Sequence, residues 1–193
     1  MKLLKKNFLM VVEFMISNYY YVWNKKISHE ICQKLINLGK ENWTHAEVDN
    51  KSIAAIRKSD IVWTEEQWVF DLISPYMFTA NERAGWKYNI VATKDCQVTR
   101  YTKDGFYDWH IDGMGSHNEL HNDGNTRKLS MSIILNSDYE GGDFEMRGLK
   151  DKVPRLKEGS IIVFPSFLEH RVTPVTEGIR YSLVTWFVGP PYV

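Results

Sequence analysis

Apolar residues recur at helical spacing between Ser28 and Gly39. Serine is a preferred residue at the N-cap of a helix, and glycine commonly follows a helix end. The apolar residues between them lie on one face of such a helix: Ile31, Leu35, Ile36 and Leu38. The pattern therefore predicts an amphipathic helix in this segment.

A second helix is predicted to begin after Thr64. Thr64 is the expected N-cap, and Gln67, three residues later, is its expected partner in a capping box. Apolar residues continue to about Phe78, and Pro75 is expected to kink or restart the helix because proline lacks a backbone N–H.

From Trp86 onward the pattern changes to short β-branched and aromatic runs separated by glycine and proline. These runs predict strands without long helices between them, which favours a sandwich or jelly roll over a parallel α/β sheet. The predicted strands are 88–93, 97–101, 107–112, 129–135, 143–146, 160–164, 170–175 and 181–188. An earlier apolar run at 8–12 is predicted to be a strand or a frayed extension, since it is too short to span a bilayer and fits a signal peptide poorly.

The expected fold class is mainly β with packed helices, an α+β arrangement in one domain over residues 1–193. Within that domain, residues 1–86 are expected to form a helical support region. Residues 87–190 are expected to form the β core.

Composition narrows the choice of partners. The chain has 24 basic and 24 acidic residues and a formal net charge of zero, whereas a general phosphate-backbone binder carries a basic excess. Nucleic acid is therefore not expected as a partner, and no membrane is expected because the apolar run at 8–12 is too short to span one. Its two cysteines, Cys32 and Cys96, lack metal-ligand spacing, so they are expected to be free buried thiols in a reducing cytoplasm, bacterial or that of a phage host.

Three residues have the types and spacing of a metal site. His110 and Asp112 are two apart in a predicted strand and therefore share a face. His170 lies at the start of another predicted strand. Two histidines and one carboxylate form the facial triad of non-haem Fe(II) oxygenases.

Arg180 begins the last predicted strand, where alternation places it on one face with Ser182, Val184 and Trp186. A buried guanidinium is costly without an anion. A dicarboxylate cosubstrate supplies one if its keto-acid end binds the metal while its far carboxylate pairs with Arg180. A structural ion pair on the barrel wall is the alternative.

The chain resembles the 2-oxoglutarate- and Fe(II)-dependent oxygenases of the prolyl 4-hydroxylase type, especially small microbial and phage proteins with a Pro/Lys-hydroxylase-like domain. The resemblance covers about residues 97 to 190. Its motifs read YTKDGFYDWHID at 101–112, RKLS at 127–130 and HRVTPVTEGIRY at 170–181, followed by Trp186.

The resemblance implies a double-stranded β-helix, a cupin-like jelly roll. It implies that His110, Asp112 and His170 bind iron and that Arg180 and Tyr101 bind 2-oxoglutarate. Tyr107, Arg127 and Trp186 fall where relatives place substrate-side residues.

The function implied is hydroxylation of a C–H bond with O2, most simply on a peptidyl proline, with release of succinate and CO2. Ascorbate is a candidate reductant. Two alternatives stay open: the same chemistry on a free amino acid or other small molecule, and a non-catalytic cupin-like protein that binds metal or senses. Arg180 beside an intact triad disfavours the second, because a degenerate binder needs no cosubstrate arginine. The sequence does not determine the oligomeric state.

Residues 113–125, rich in glycine and asparagine, are expected to be a mobile lid over the substrate. His117 and His121 in this loop are not expected to form a second metal site. Gly141 and Gly142 are expected to form a turn with positive φ.

Overall fold

The structure of the protein is a computed structural model, which describes residues 18–40, 42–46, 56–113, 124–149 and 152–191. In these ranges the chain forms two helices, α1 (His29–Asn37) and α2 (Gln67–Arg83). The same ranges contain fourteen strands: β1 (Tyr21–Trp23), β2 (Thr44–His45), β3 (Arg57–Lys58), β4 (Asp60–Thr64), β5 (Ala92–Thr93), β6 (Cys96–Tyr101), β7 (Phe106–His110), β8 (Thr126–Ile134), β9 (Tyr139–Gly141), β10 (Phe144–Met146), β11 (Ile161–Pro165), β12 (His170–Val172), β13 (Val175–Gly178) and β14 (Arg180–Gly189).

The strands form three antiparallel sheets. The major sheet has the order β1-β11-β8-β14-β6-β4-β2, with β5 added beside β14. The minor sheet has the order β10-β12-β7-β3, and β9 pairs with β13 in a third, two-stranded sheet. The mainly β class with packed helices is confirmed.

The helices cover one face of the major sheet, and the minor sheet covers the other. Leu35 of α1 and Ile73 of α2 pack in one apolar cluster with Leu129 and Ile133 of β8. On the opposite face, Phe144 of the minor sheet lies with its ring 5.4 Å from that of Phe164, measured between centroids. The functional cavity described below lies between the two sheets.

Strand alternation explains these two environments. In β8, Leu129 and Met131 belong to the cluster under the helices, whereas Ser130 between them bonds toward the minor sheet. In β14, Leu183 and Phe187 belong to the same cluster. The predicted shared face of β14 is confirmed, because Arg180, Ser182, Val184 and Trp186 all line the cavity.

The first predicted helix is confirmed. Its N-cap is Ser28, whose Oγ accepts a hydrogen bond from the backbone N–H of Ile31 at 3.3 Å. The helix buries Cys32 and Leu35 and ends at Asn37, two residues before Gly39. Both cysteines are free and buried, as predicted, and burial raises the pKa of each thiol to about 11.

The predicted start and end of the second helix were wrong. Thr64 is the last residue of β4, and its Oγ1 accepts from the N–H of Glu66 at 3.3 Å instead of capping the helix. The helix continues through Pro75 to Arg83. Burial of Ile73 and Met77 on either side of the proline offsets the one backbone hydrogen bond that proline cannot make.

Three predicted strands are shorter than expected. Of 88–93 only Ala92–Thr93 is a strand, because the Asn81 side chain binds both the N–H and the carbonyl of Tyr88. The strand predicted at 107–112 ends at His110. The strand predicted at 170–175 is interrupted at Pro174, so β12 and β13 belong to different sheets.

The support region contains strands that the sequence did not indicate. β1, β2 and β4 belong to the major sheet and β3 to the minor sheet. Gly141 and Gly142 have the predicted positive φ, +69° and +61°. Gly141 is the last residue of β9, a strand that the sequence did not predict. The strand expected at 8–12 and the lid residues 114–123, with His117 and His121, lie outside the described residues.

Gly159 joins the segment before α1 to the strand β11. Its carbonyl accepts hydrogen bonds from the N–H groups of Lys26 and Ile27, at 2.8 and 3.0 Å. Its φ is +75°, and an added Cβ would meet the carbonyl oxygen of Ile27. Gly148 has a similar φ of +80°, but an added Cβ there would have no atom within 4 Å.

We predict that Gly159→Ala lowers the free energy of unfolding by about 2–4 kcal/mol, through left-handed backbone strain and the clash with Ile27. Gly148→Ala should lower it by only about 1–2 kcal/mol, since it incurs the backbone strain alone. Urea unfolding of the two variants measures the difference. An equal decrease in the free energy of unfolding of the two variants would show that the contact with Ile27 does not add to the destabilisation.

Candidate metal and cosubstrate site

The pairing of β7 with β12 brings the two predicted histidine ligands together. His110 ends β7, His170 begins β12, and the two are partners in the antiparallel register. Asp112 lies just beyond β7, where its backbone N–H donates to the Ser166 carbonyl at 3.0 Å. Ligand atoms of the three side chains all lie within 4.8 Å of one another, close enough to hold one metal ion.

Backbone carbonyls orient both imidazoles in the same way. Nδ1 of His110 lies 2.7 Å from the carbonyl oxygen of Asp108, and Nδ1 of His170 lies 2.9 Å from that of Leu168. A carbonyl can only accept, so each Nδ1 donates and carries the proton. The Nε2 atoms face Asp112, at 3.7 and 3.5 Å from its carboxylate oxygens. A neutral imidazole with its proton on Nδ1 binds a metal through Nε2.

Burial and neighbouring groups keep the site ready for a cation. Burial, followed by the nearby His170, lowers the pKa of His110 to about 4, so this imidazole is neutral at pH 7. Burial by itself raises the pKa of Asp112. The adjacent imidazoles and the hydrogen bond from Ser130 outweigh that effect, so the pKa lies below its usual value. The arrangement therefore presents two imidazole nitrogens and one ionised carboxylate, which is a donor set that fits Fe(II).

Ser130 fixes the carboxylate, and the sequence did not indicate this role. Its Oγ donates to Oδ2 of Asp112 at 2.6 Å and lies 3.0 Å from the Oγ of Ser166. One feature of the sequence could have indicated this role. Ser130 lies between Leu129 and Met131 in a buried strand, so its side chain points to the face opposite to theirs. A small polar residue on a face that is otherwise buried requires a partner.

Arg180 is buried without a carboxylate partner among the described residues. It is 1% exposed, and its Nη1 donates to the Oγ of Ser182 at 3.0 Å. Its Nε has no hydrogen-bond partner within the described part of the chain. Tyr101 is its register partner on β6, and the guanidinium carbon lies 5.4 Å from the centre of the tyrosine ring. This geometry leaves the arginine available to an anionic ligand.

The residues predicted on the substrate side lie close to the triad. Tyr107 stacks on His110 with ring centroids 3.5 Å apart and an interplanar angle of 11°. The Arg127 guanidinium lies 4.1 Å above the ring of Trp186, and its Nη1 donates to the backbone carbonyl of Asp112 at 3.1 Å.

One cavity of about 270 Å³ brings the predicted residues together. All eight line its wall: Tyr101, Tyr107, His110, Asp112, Arg127, His170, Arg180 and Trp186. The structure adds Arg57 and Trp63, which the sequence did not single out. Trp63 is 50% exposed, and its ring lies 6.0 Å from that of Trp186.

Comparison with known families agrees with this geometry. Residues 96–188 match the family model described as the 2OG-Fe(II) oxygenase superfamily. This segment is similar to a 2OG-Fe(II) oxygenase domain. The matched segment contains all eight predicted residues, whereas Arg57 and Trp63 precede it. The superfamily is named for 2-oxoglutarate and Fe(II).

Curated relatives are similar to about half of this chain. A PKHD-type hydroxylase of Synechococcus sp. (strain CC9311) is 35% identical over 115 residues, which are 54% of this chain and 50% of that protein. The chain thus spans about half the length of the curated relatives it matches.

Two solved prolyl hydroxylases share the fold, which confirms the double-stranded β-helix. The viral collagen prolyl hydroxylase of Paramecium Bursaria Chlorella virus-1, in its 2OG complex, has a TM-score of 0.67 and 23% identity, covering 89% of this chain and 97% of that one. The Trichoplax adhaerens prolyl hydroxylase, in complex with a hypoxia inducible factor peptide, has a TM-score of 0.70 and 22% identity, covering 96% and 91%.

We predict that Ser130→Ala weakens Fe(II) binding by about 10- to 100-fold, because Asp112 loses the hydrogen bond that orients it. Ser132→Ala is the matched control, since Ser132 lies on the same face of β8 and lines the cavity. It should bind Fe(II) as the wild type does. Anaerobic calorimetric titration with Fe(II) measures both, and equal affinities would exclude an orienting role for Ser130.

Proposed function

We propose that this protein is an Fe(II)- and 2-oxoglutarate-dependent dioxygenase with a prolyl 4-hydroxylase-like activity. One observation carries the proposal. A single cavity is lined by a His-Asp-His cluster and by a buried arginine that has no carboxylate partner among the described residues. Residues His110, Asp112 and His170 would bind the iron. Arg180 and Tyr101 would bind the far carboxylate of 2-oxoglutarate.

Iron, with 2-oxoglutarate and O2, supplies the oxidising power to hydroxylate a C–H bond, with release of succinate and CO2. The chain itself orients the reactants. Ser130 and the two backbone carbonyls fix the ligand atoms, so little reorganisation is needed when the metal binds. Tyr107 covers one face of His110 and limits access of water to that side.

The substrate we propose is a peptidyl proline. Support comes from the solved prolyl hydroxylases of the same fold, one of them in complex with a peptide. The half-exposed Trp63 beside Trp186 offers aromatic surface at the cavity, suited to the aliphatic ring of proline.

We also propose that residues 1–193 form one domain. Support comes from β1 and β4, which pair with β11 and β6 of the major sheet. In the described residues neither helix is long and apolar enough to cross a membrane. The buried free thiols Cys32 and Cys96 support our proposal that the protein works in the cytoplasm.

We predict that the wild type converts 2-oxoglutarate to succinate when supplied with Fe(II) and O2, and that His170→Ala does not. His170 is buried at the cavity, so its loss removes one of three iron ligands. His29→Ala is the control, because His29 is an exposed histidine that pairs with Glu158. Succinate formation and the circular dichroism spectrum are measured for each. Wild-type activity in a folded His170→Ala variant would refute the ligand assignment.

We predict that Arg180→Ala raises the KM for 2-oxoglutarate by about 10- to 100-fold, the size of a lost charge-assisted hydrogen bond. Tyr101→Phe should raise it by only about fivefold, since it removes one neutral hydrogen bond. Arg100→Ala is the control, because Arg100 neighbours Tyr101 but binds Asp60 at 2.7 Å. If Arg180→Ala retains the wild-type KM, the far carboxylate binds elsewhere.

A further inference from the structure

A second arginine enters the cavity from outside the segment that the family model matches. Arg57 lies on β3, at the edge of the minor sheet, and is 9% exposed. It lines the same cavity as the triad.

Among the described residues, the hydrogen-bond and ring contacts of Arg57 are with neutral groups. Its Nε donates to the Oγ of Ser59 at 2.7 Å, and its Nη2 donates to Oε1 of Gln97 at 2.8 Å. Its guanidinium carbon lies 4.6 Å above the ring of Tyr107. Within the described ranges, no aspartate or glutamate forms an ion pair with it, and three of its five N–H donors stay available to a ligand.

The described lining residues include more arginines with neutral partners than carboxylates. Arg57 and Arg180 face the cavity, and Asp112 is the one carboxylate among its described lining residues. In the proposed reaction Asp112 binds the metal and Arg180 binds the cosubstrate. A buried cation without a counter-charge is costly, so Arg57 favours a further anion in the cavity.

Arg57 and Arg180 are attached at different points of the cavity wall, which favours a separate anion for Arg57. Arg180 is the register partner of Tyr101 on β6, whereas Arg57 binds Gln97, four residues earlier on the same strand. At about 3.3 Å per residue the two attachment points are about 13 Å apart. Tyr107, in contrast, contacts both Arg57 and His110, which places Arg57 one ring away from the proposed iron ligand.

We propose that Arg57 binds a carboxylate of the substrate, and that the substrate is a peptide with an acidic side chain close to the hydroxylated residue. A planar guanidinium is well matched to a carboxylate, which can accept two parallel hydrogen bonds. The inference rests on the proposed function and specifies its substrate class.

The test uses matched peptides, each an acetylated and amidated alanine host with one proline. Aspartate is placed one or two residues before or after the proline, and each peptide has an asparagine counterpart. Free L-proline is a further probe, because its α-carboxylate is the other substrate carboxylate that Arg57 could bind. The protein is loaded with Fe(II) and 2-oxoglutarate under anaerobic conditions, and binding is followed by tryptophan fluorescence. Admitting O2 then gives the hydroxylated product by mass spectrometry.

For at least one position we expect the wild type to bind the aspartate peptide about tenfold or more tightly than its asparagine counterpart. Arg57→Gln should reduce that ratio to about one, and Arg57→Lys should keep part of it because the charge remains. Arg100→Gln, a control arginine that already has a carboxylate partner, should keep the full ratio.

Four results would overturn the inference. The first is a wild type that prefers no aspartate peptide, and the second is a preference that survives in Arg57→Gln. The third is an Arg57→Gln variant that binds both peptides of each pair equally more weakly, which would show that Arg57 only positions Tyr107 and His110. The fourth concerns free L-proline. Preference for free L-proline over every peptide would identify an α-carboxylate as the anion and refute the peptide class. Succinate formation without peptide tests the proposed function separately, so the two failures are distinguishable.

Discussion

The antiparallel contact between His110 and His170 is the constraint on which the rest of the site depends. Each histidine lies at the end of its strand, so the register of β7 and β12 alone places the two imidazoles together. The chain after β7 then turns back onto the Ser166 carbonyl, which brings Asp112 to the same point. The proposed ligands, which are far apart in the sequence, are thereby held by backbone hydrogen bonds without a metal, and this lowers the entropic cost of forming a metal site.

The major sheet separates two kinds of interior. Its outer face carries large apolar side chains that pack under α1 and α2, and this face supplies most of the apolar burial. Its inner face carries serines, glutamine and arginine, which are too polar to pack without partners. Burying the polar inner face therefore costs folding free energy, which the apolar outer face offsets. The polar face lies where a cofactor and a substrate are proposed to bind.

The buried charges differ in how the protein satisfies them. Asp112 has a hydroxyl donor and two imidazoles around it, whereas Arg180 and Arg57 have only neutral contacts among the described residues. The two arginines therefore have hydrogen-bonding capacity that the described protein does not use, and each lies on a different part of the cavity wall. This unused capacity is where anionic ligands are expected to bind.

The sequence by itself determined the mainly β fold class, the first helix and the candidate residues of the site, because local periodicity and the spacing of His, Asp and Arg carry that information. It did not determine where α2 begins, where β7 ends or the division between β12 and β13. Thr64 pairs with Cys96 of β6, Asp112 bonds to the Ser166 carbonyl, and the Pro174 carbonyl accepts from Gly142; only the tertiary structure supplies these partners. Ser130 and Arg57 were missed for the same reason. A serine in a strand and an arginine in a short β3 have no distinctive local pattern, and their partners Asp112 and Gln97 come near them only when the two sheets pack face to face.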